Sequence, residues 1–136
     1  MICIHIVFCE YIMSLQFIKV CNKRGQILEL QSLGMGPFNL EFVAVTLYQS
    51  RTEISGNPRL CFEVVPDGPW LPTYLRDDST GEEINVYMVK PPLALISTAK
   101  RNALIPRAGQ WDRELKEMGF LEAVMESKYY PLFKGA

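Results

Sequence analysis

The chain has 136 residues, of which 49% are apolar and 11% aromatic, enough for one packed core and too many for a disordered chain. At this size folding removes roughly two-thirds of the unfolded chain's surface from water, so the core needs no disulfide or metal to supplement it. Fourteen basic against fifteen acidic side chains leave a formal charge of −1, which argues against nucleic acid as the partner, because no basic stripe exists to displace phosphate counterions.

Residues 1–12 form an apolar stretch that begins like the hydrophobic part of a signal peptide. It lacks a preceding Lys or Arg and a small-residue cleavage site, and Glu10 interrupts it. It is also too short for a membrane span, which takes about twenty apolar residues. The regular pattern of strands and turns starts only after Met13, so residues 1–12 read as an extension and 13–136 as one α+β domain.

Leu15 to Cys21 and Ile27 to Leu33 read as a β-hairpin around Asn22-Lys23-Arg24-Gly25-Gln26, with Gly25 free to take positive φ. Gly34-Met35-Gly36-Pro37 reads as a bend. Leu40 to Tyr48 carries apolar groups at both parities, the pattern of a central strand buried on two faces. Leu60, Phe62 and Val64 alternate with Arg59, Cys61 and Glu63, which predicts a strand with one face in the core and the other toward solvent. Pro66 to Arg76 reads as a long connection, and Ile84 to Val89 as a fifth strand ended by Pro91-Pro92. Beyond Pro92 two readings stand, a helix to about Leu104 or a sixth strand over Leu93 to Thr98, with Pro106 and Gly109 closing either. Trp111, Leu115, Met118, Leu121 and Met125 then form the apolar stripe of a helix that Gly119 is placed to divide and Tyr129-Tyr130-Pro131 to end. The expected architecture is an antiparallel sheet of about five strands, or a half-closed barrel, followed by C-terminal helices packed on one face.

The chemistry that this sequence can support is limited by its single histidine, His5, which lies in the N-terminal extension. No imidazole is left in the domain to activate a serine or cysteine or to bind zinc. Cys3, Cys9, Cys21 and Cys61 lack C-x-x-C spacing and read as reduced core residues of a cytoplasmic protein, and no Asn-x-Ser/Thr sequon occurs. Gly34-Met35-Gly36 lacks the third glycine and the Lys-Ser/Thr pair of a phosphate loop. No cofactor or metal is expected.

The segment 66–76 is the candidate contact region. It combines three prolines, which limit the entropy lost on binding, with Trp70, Tyr74 and Arg76, the residue types richest in interface hot spots, and Asp77 comes directly after. The alternative is that Trp70 folds back over the open end of the sheet as a lid. The function expected on these residues is a non-enzymatic binding or protein-interaction module. A homodimer is expected too, since residues 1–21 hold more apolar groups than one strand can bury. The rival is a small enzyme with Asp77 or Asp78 as base in a pocket between sheet and helix, which requires those side chains to converge.

Overall fold

A computed structural model of the chain describes residues 17–49, 57–90 and 93–126. The extension 1–12, and the end of the last helix at Tyr129-Tyr130-Pro131, lie outside the described residues. Six strands form one antiparallel sheet in sequence order: β1 (Phe17–Cys21), β2 (Ile27–Met35), β3 (Glu41–Tyr48), β4 (Arg59–Val64), β5 (Trp70–Asp77) and β6 (Glu82–Asn85). A separate hairpin, β7 (Tyr87–Lys90) and β8 (Leu93–Ile96), leads into α1 (Thr98–Glu117) and α2 (Phe120–Glu126). The chain is α+β, with the sheet open and not closed into a barrel.

The meander arises from local turn chemistry. Asn22 caps the first hairpin, its side-chain oxygen accepting from the amides of Arg24 and Gln26 while Gly25 sits at φ 78°. The bend expected over Gly34-Met35-Gly36-Pro37 falls on residues 36–39, because β2 runs on to Met35 through a bulge between Ser32 and Gly34. The bulge absorbs the glycine without ending the ladder. Gly36 and Asn39 make the turn, Gly36 N–H bonding Leu40 O at 2.8 Å.

Register assigns the faces. Leu30, Val45, Leu60 and Leu75 stand in one row across four strands, and with Leu28, Val43, Leu47 and Phe62 they form the buried side of the sheet. The stretch expected as a loop over 66–76 is a turn and then β5. Asp67, at φ 56°, and Gly68 turn the chain, and Trp70 onward pairs with β4. A bulge makes the strand possible: Cys61 pairs Tyr74 and Phe62 pairs Pro72, so Thr73 is the extra residue and side-chain parity reverses there. Trp70 and Leu75, five apart, therefore both reach the core. Pro72 has no N–H for a neighbouring ladder, and the β5–β6 register stops at Tyr74. One more bond, Val86 N–H to Thr73 O, forms before the chain leaves the sheet. For this reason the expected strand Ile84 to Val89 is two strands, broken at Val86.

Strand β4 is interior, not solvent-facing on one side: Cys61 and Glu63, read from alternation as outward, are 7% and 2% exposed. After β8, Ser97 caps α1 by accepting from Lys100 N–H, and the helix then runs twenty residues straight through Pro106 and Gly109. Both readings of 93–104 hold in part, strand first and helix after. Pro106, expected to close the segment, stands instead on the exposed side of a continuous helix. The burial of Leu104, Ala108 and Leu115 on the opposite stripe outweighs the one lost amide bond. Gly119, at φ 85°, does divide α1 from α2. Leu104, Ala108, Leu115 and Phe120 close the core against the sheet, while Asn22 Nδ2 donates to Met118 O and ties the helix junction to the first hairpin.

Pro106→Ala should stabilise the fold by about 1–2 kcal/mol, the helix-interior proline penalty less the entropy the ring removes from the unfolded chain. Urea unfolding measures it, and a destabilised variant would mean that the helix does not continue through this position.

Candidate interaction surface

Glu63 of β4, Tyr87 of β7 and Arg101 of α1 meet in one cluster. One Glu63 carboxylate oxygen lies 3.1 Å from Arg101 Nη2 and the other accepts the Tyr87 hydroxyl at 2.5 Å. Arg101 also donates through Nε to Pro72 O at 3.3 Å, and its guanidinium stands 5.8 Å from the centre of the Tyr87 ring. A carboxylate taken out of water without partners is strongly disfavoured, and here each oxygen has a donor. The cluster is self-satisfied, so it serves as an anchor and offers no free base. It fixes β7 and the first turn of α1 against β4. Burial pushes the Tyr87 phenol up to about 12, with the hydrogen bond to Glu63 adding to the rise and Arg101 opposing it.

The anchor carries an aromatic layer toward the surface. The Tyr87 ring lies 5.5 Å from Phe42 and 6.0 Å from Phe38, centre to centre. Gly36 is where it is for a steric reason: a Cβ there would lie 2.6 Å from the Phe42 ring, so any side chain would displace the layer. The β2–β3 turn and the β7–β8 hairpin are thereby held side by side. Both display apolar groups. Met35 is 62% exposed, Phe38 49%, Met88 47%, Leu95 44% and Ile96 37%. Met88 pairs directly with Leu95 across the hairpin, and Tyr87 with Ile96. Adjacent strand residues point to opposite faces, so Tyr87 turns toward the body of the protein while Met88 and Leu95 face outward together. Exposed apolar residues are normal singly, but their concentration on two touching hairpins is not.

The residues singled out from the sequence are not brought together. Trp70 is a core residue, its ring 5.7 Å from Phe62. Tyr74 and Arg76 stand beyond the bulge on the opposite face, Arg76 pairing with Asp78 at 3.3 Å. Asp77 accepts from the amide and hydroxyl of Ser79 in a turn and also lines a recess of about 230 Å³ with Arg107, Trp111 and Glu114. Tyr74, Arg76 and Asp78 do not line that recess. A larger open cleft of about 500 Å³ lies between the first hairpin turn and the helix junction, lined by Asn22, Lys23, Arg24, Lys116 and Glu122 among others. Its opposed charges define no single ligand chemistry. Among the described residues no three His, Cys, Asp or Glu gather as metal ligands, and no helix is long and apolar enough to cross a membrane.

Sequence reasoning passes over Glu63, Tyr87, Phe38 and Phe42. The only signal is a charge inside the run Leu60-Cys61-Phe62-Glu63-Val64-Val65, which alternation explains away as solvent-facing. Comparison with family models, with curated proteins and with solved structures finds no match, so the surface is read from its geometry.

Two measurements probe the anchor. Glu63→Ala strands the Arg101 guanidinium and should cost about 3–5 kcal/mol in chemical unfolding, against a smaller loss for Glu63→Gln. A phenol whose folded pKa is raised adds stability that is complete below its unfolded value of 10.0 and is lost as pH climbs through about 12. Stability should therefore decline across that window, and Tyr87→Phe should flatten the part due to Tyr87.

Proposed function

We propose that the chain is a small non-enzymatic protein-interaction module, and that it engages a partner protein through the apolar surface of the β2–β3 turn and the β7–β8 hairpin. The supporting observation is the outward pair Met88–Leu95 on the β7–β8 hairpin, with Met35 and Phe38 also exposed on the β2–β3 turn that packs against Tyr87 of that hairpin, the Tyr87 hydroxyl in turn being held by Glu63. Exposed apolar side chains gathered on adjoining segments, beyond the single scattered ones that any surface shows, are a usual mark of an interface. Met, Phe and Tyr are among the types enriched at interface centres. A pre-ordered surface also spares the ordering entropy that a flexible loop would spend on binding.

The contact region proposed from sequence, Trp70, Tyr74, Arg76 and Asp77, is replaced in this reading by the two hairpins, because Trp70 already has a full set of core neighbours, Tyr74 and Arg76 lie on the opposite face of the sheet, and Asp77 stands apart from them in a turn with Ser79. The cytoplasm is the compartment that fits, given cysteines without disulfide-type spacing. The rival enzyme reading has less to support it: Asp77 is occupied by Ser79, and Asp78 by Arg76.

The test is a photo-crosslinking amino acid placed at position 88, with position 79 in the exposed Asp77–Gly81 turn as control, in cells that express the protein. Polypeptide adducts at 88 and not at 79 are expected. Equal labelling at both, or none, overturns the reading.

A further inference from the structure

Under the C-terminal half of α1 lies the recess of about 230 Å³ that Asp77 borders at the end of β5. Helical spacing builds its roof: Arg107, Gln110, Trp111 and Glu114 recur at three- and four-residue steps and so share one side of the helix. The floor is apolar. Leu47 is buried there, with Trp111 and Met118 packed partly buried against the core beside it. The rim is polar and acidic in sum. Asp77 and Glu114 line it, and Glu82 stands opposite Asp77 in the β5–β6 register. Against these three carboxylates the recess has one guanidinium, Arg107, which Glu82 already engages at 2.7 Å. Asp77 accepts from the amide and hydroxyl of Ser79 through Oδ1, and Glu114 accepts from Gln110 through Oε1 at 2.9 Å. Those donors are neutral, and among the described residues no cation pairs with Asp77 or Glu114. Two negative charges therefore border an apolar hollow without a counterion from the chain.

We propose that this recess binds an alkylammonium group, a primary amine on a chain of a few carbons, with the chain against the apolar floor and the ammonium at the rim with Asp77 and Glu114. Charge complementarity selects this class. An ammonium offers three donors and no acceptor, which suits carboxylates whose other oxygens still have acceptor capacity, whereas an anion would meet two like charges. Indole is also the aromatic ring that attracts cations most strongly, and Trp111 belongs to the same wall. The volume sets the size. It falls below the range of about 300–1,000 Å³ that holds a drug-sized ligand, and at about 30 Å³ per water it takes roughly seven waters or a short carbon chain in their place. A free amine and the side chain of a lysine on another protein share this chemistry. None of Met35, Phe38, Met88 and Leu95 lines the recess, so the site is separate from the two hairpins and independent of the interaction reading.

The experiment titrates the full chain with n-butylammonium chloride and follows tryptophan fluorescence. A saturable change with a dissociation constant on the order of 1 mM is expected. n-Butanol, of the same length without the charge, should bind roughly tenfold more weakly, and butyrate should give no change. Asp77→Asn and Glu114→Gln should each weaken butylammonium several-fold and together roughly tenfold or more. Should Asp77→Asn lose its cooperative melt, Glu114→Gln carries the test. Trp111→Phe leaves Trp70 as the remaining tryptophan and should abolish the change. Acetyl-lysine-methylamide, titrated in the same way, separates the sources: tighter binding than butylammonium assigns the site to a lysine of another protein, weaker binding to a free amine. The proposal is overturned by the absence of a saturable change, by butanol binding as well as butylammonium, by a change that survives Trp111→Phe, or by an affinity that neither carboxylate substitution lowers.

Discussion

Burying a carboxylate in an interior strand constrains everything placed around it. Glu63 is 2% exposed, and the desolvation it suffers is tolerable only if donors arrive from elsewhere in the chain. They come from Tyr87, 24 residues on, and Arg101, 38 residues on. The first belongs to a hairpin outside the main sheet and the second to the opening turn of the long helix. One side chain of the sheet thus sets where two later elements begin. The same Arg101 satisfies Pro72 O, so the proline that ends the β5–β6 ladder is tied to the residue that seats the helix.

This arrangement explains why the β7–β8 hairpin exists as a separate unit. A sixth strand that continued past Val86 would need donors from Pro72, which has none, and the bulge at Thr73 has already turned the parity of β5. The chain leaves the sheet, and Tyr87 is caught by Glu63 and packed on Phe42. The hairpin built from there is short, carries apolar groups on both faces and is only partly covered by the rest of the protein. The exposed surface is the consequence of an internal polar anchor, which also holds the start of the hairpin in place.

The helix side of the molecule is held by more ordinary means. Leu104, Ala108 and Leu115 lie at helical spacing and meet rows of Leu and Val on the sheet. Arg107 reaches Glu82 on β6 at 2.7 Å, and Asn22 bonds the carbonyl of Met118 at 2.9 Å. These contacts hold the middle of α1 and its C-terminal end over the sheet. The exposed Arg107–Glu82 pair adds little energy in water, and the buried apolar stripe supplies most of the attachment.

How much of this is legible in the sequence depends on the range of the interactions involved. The first hairpin, the central character of β3, the C-terminal helix and its division at Gly119 are set by neighbours within a few residues, by turn chemistry, two-residue alternation and the helical repeat. Those features, and with them the α+β class, are readable from the sequence alone. Bulges are not: nothing local says that Thr73 is unpaired or that Ser32–Gly34 slips, yet the first carries Trp70 into the core and splits the last expected strand. The continuation of α1 through Pro106 is hidden for a similar reason, since the penalty is local and the compensating burial of Leu104 and Ala108 is tertiary. The anchor lies furthest from view. Glu63 by itself is a charge in an alternating strand, and only the return of Tyr87 and Arg101 from distant parts of the chain makes it a buried pair. Sequence by itself therefore determined the local elements. Tertiary structure decided which surface is exposed, because that depends on how polar groups far apart in the chain find one another.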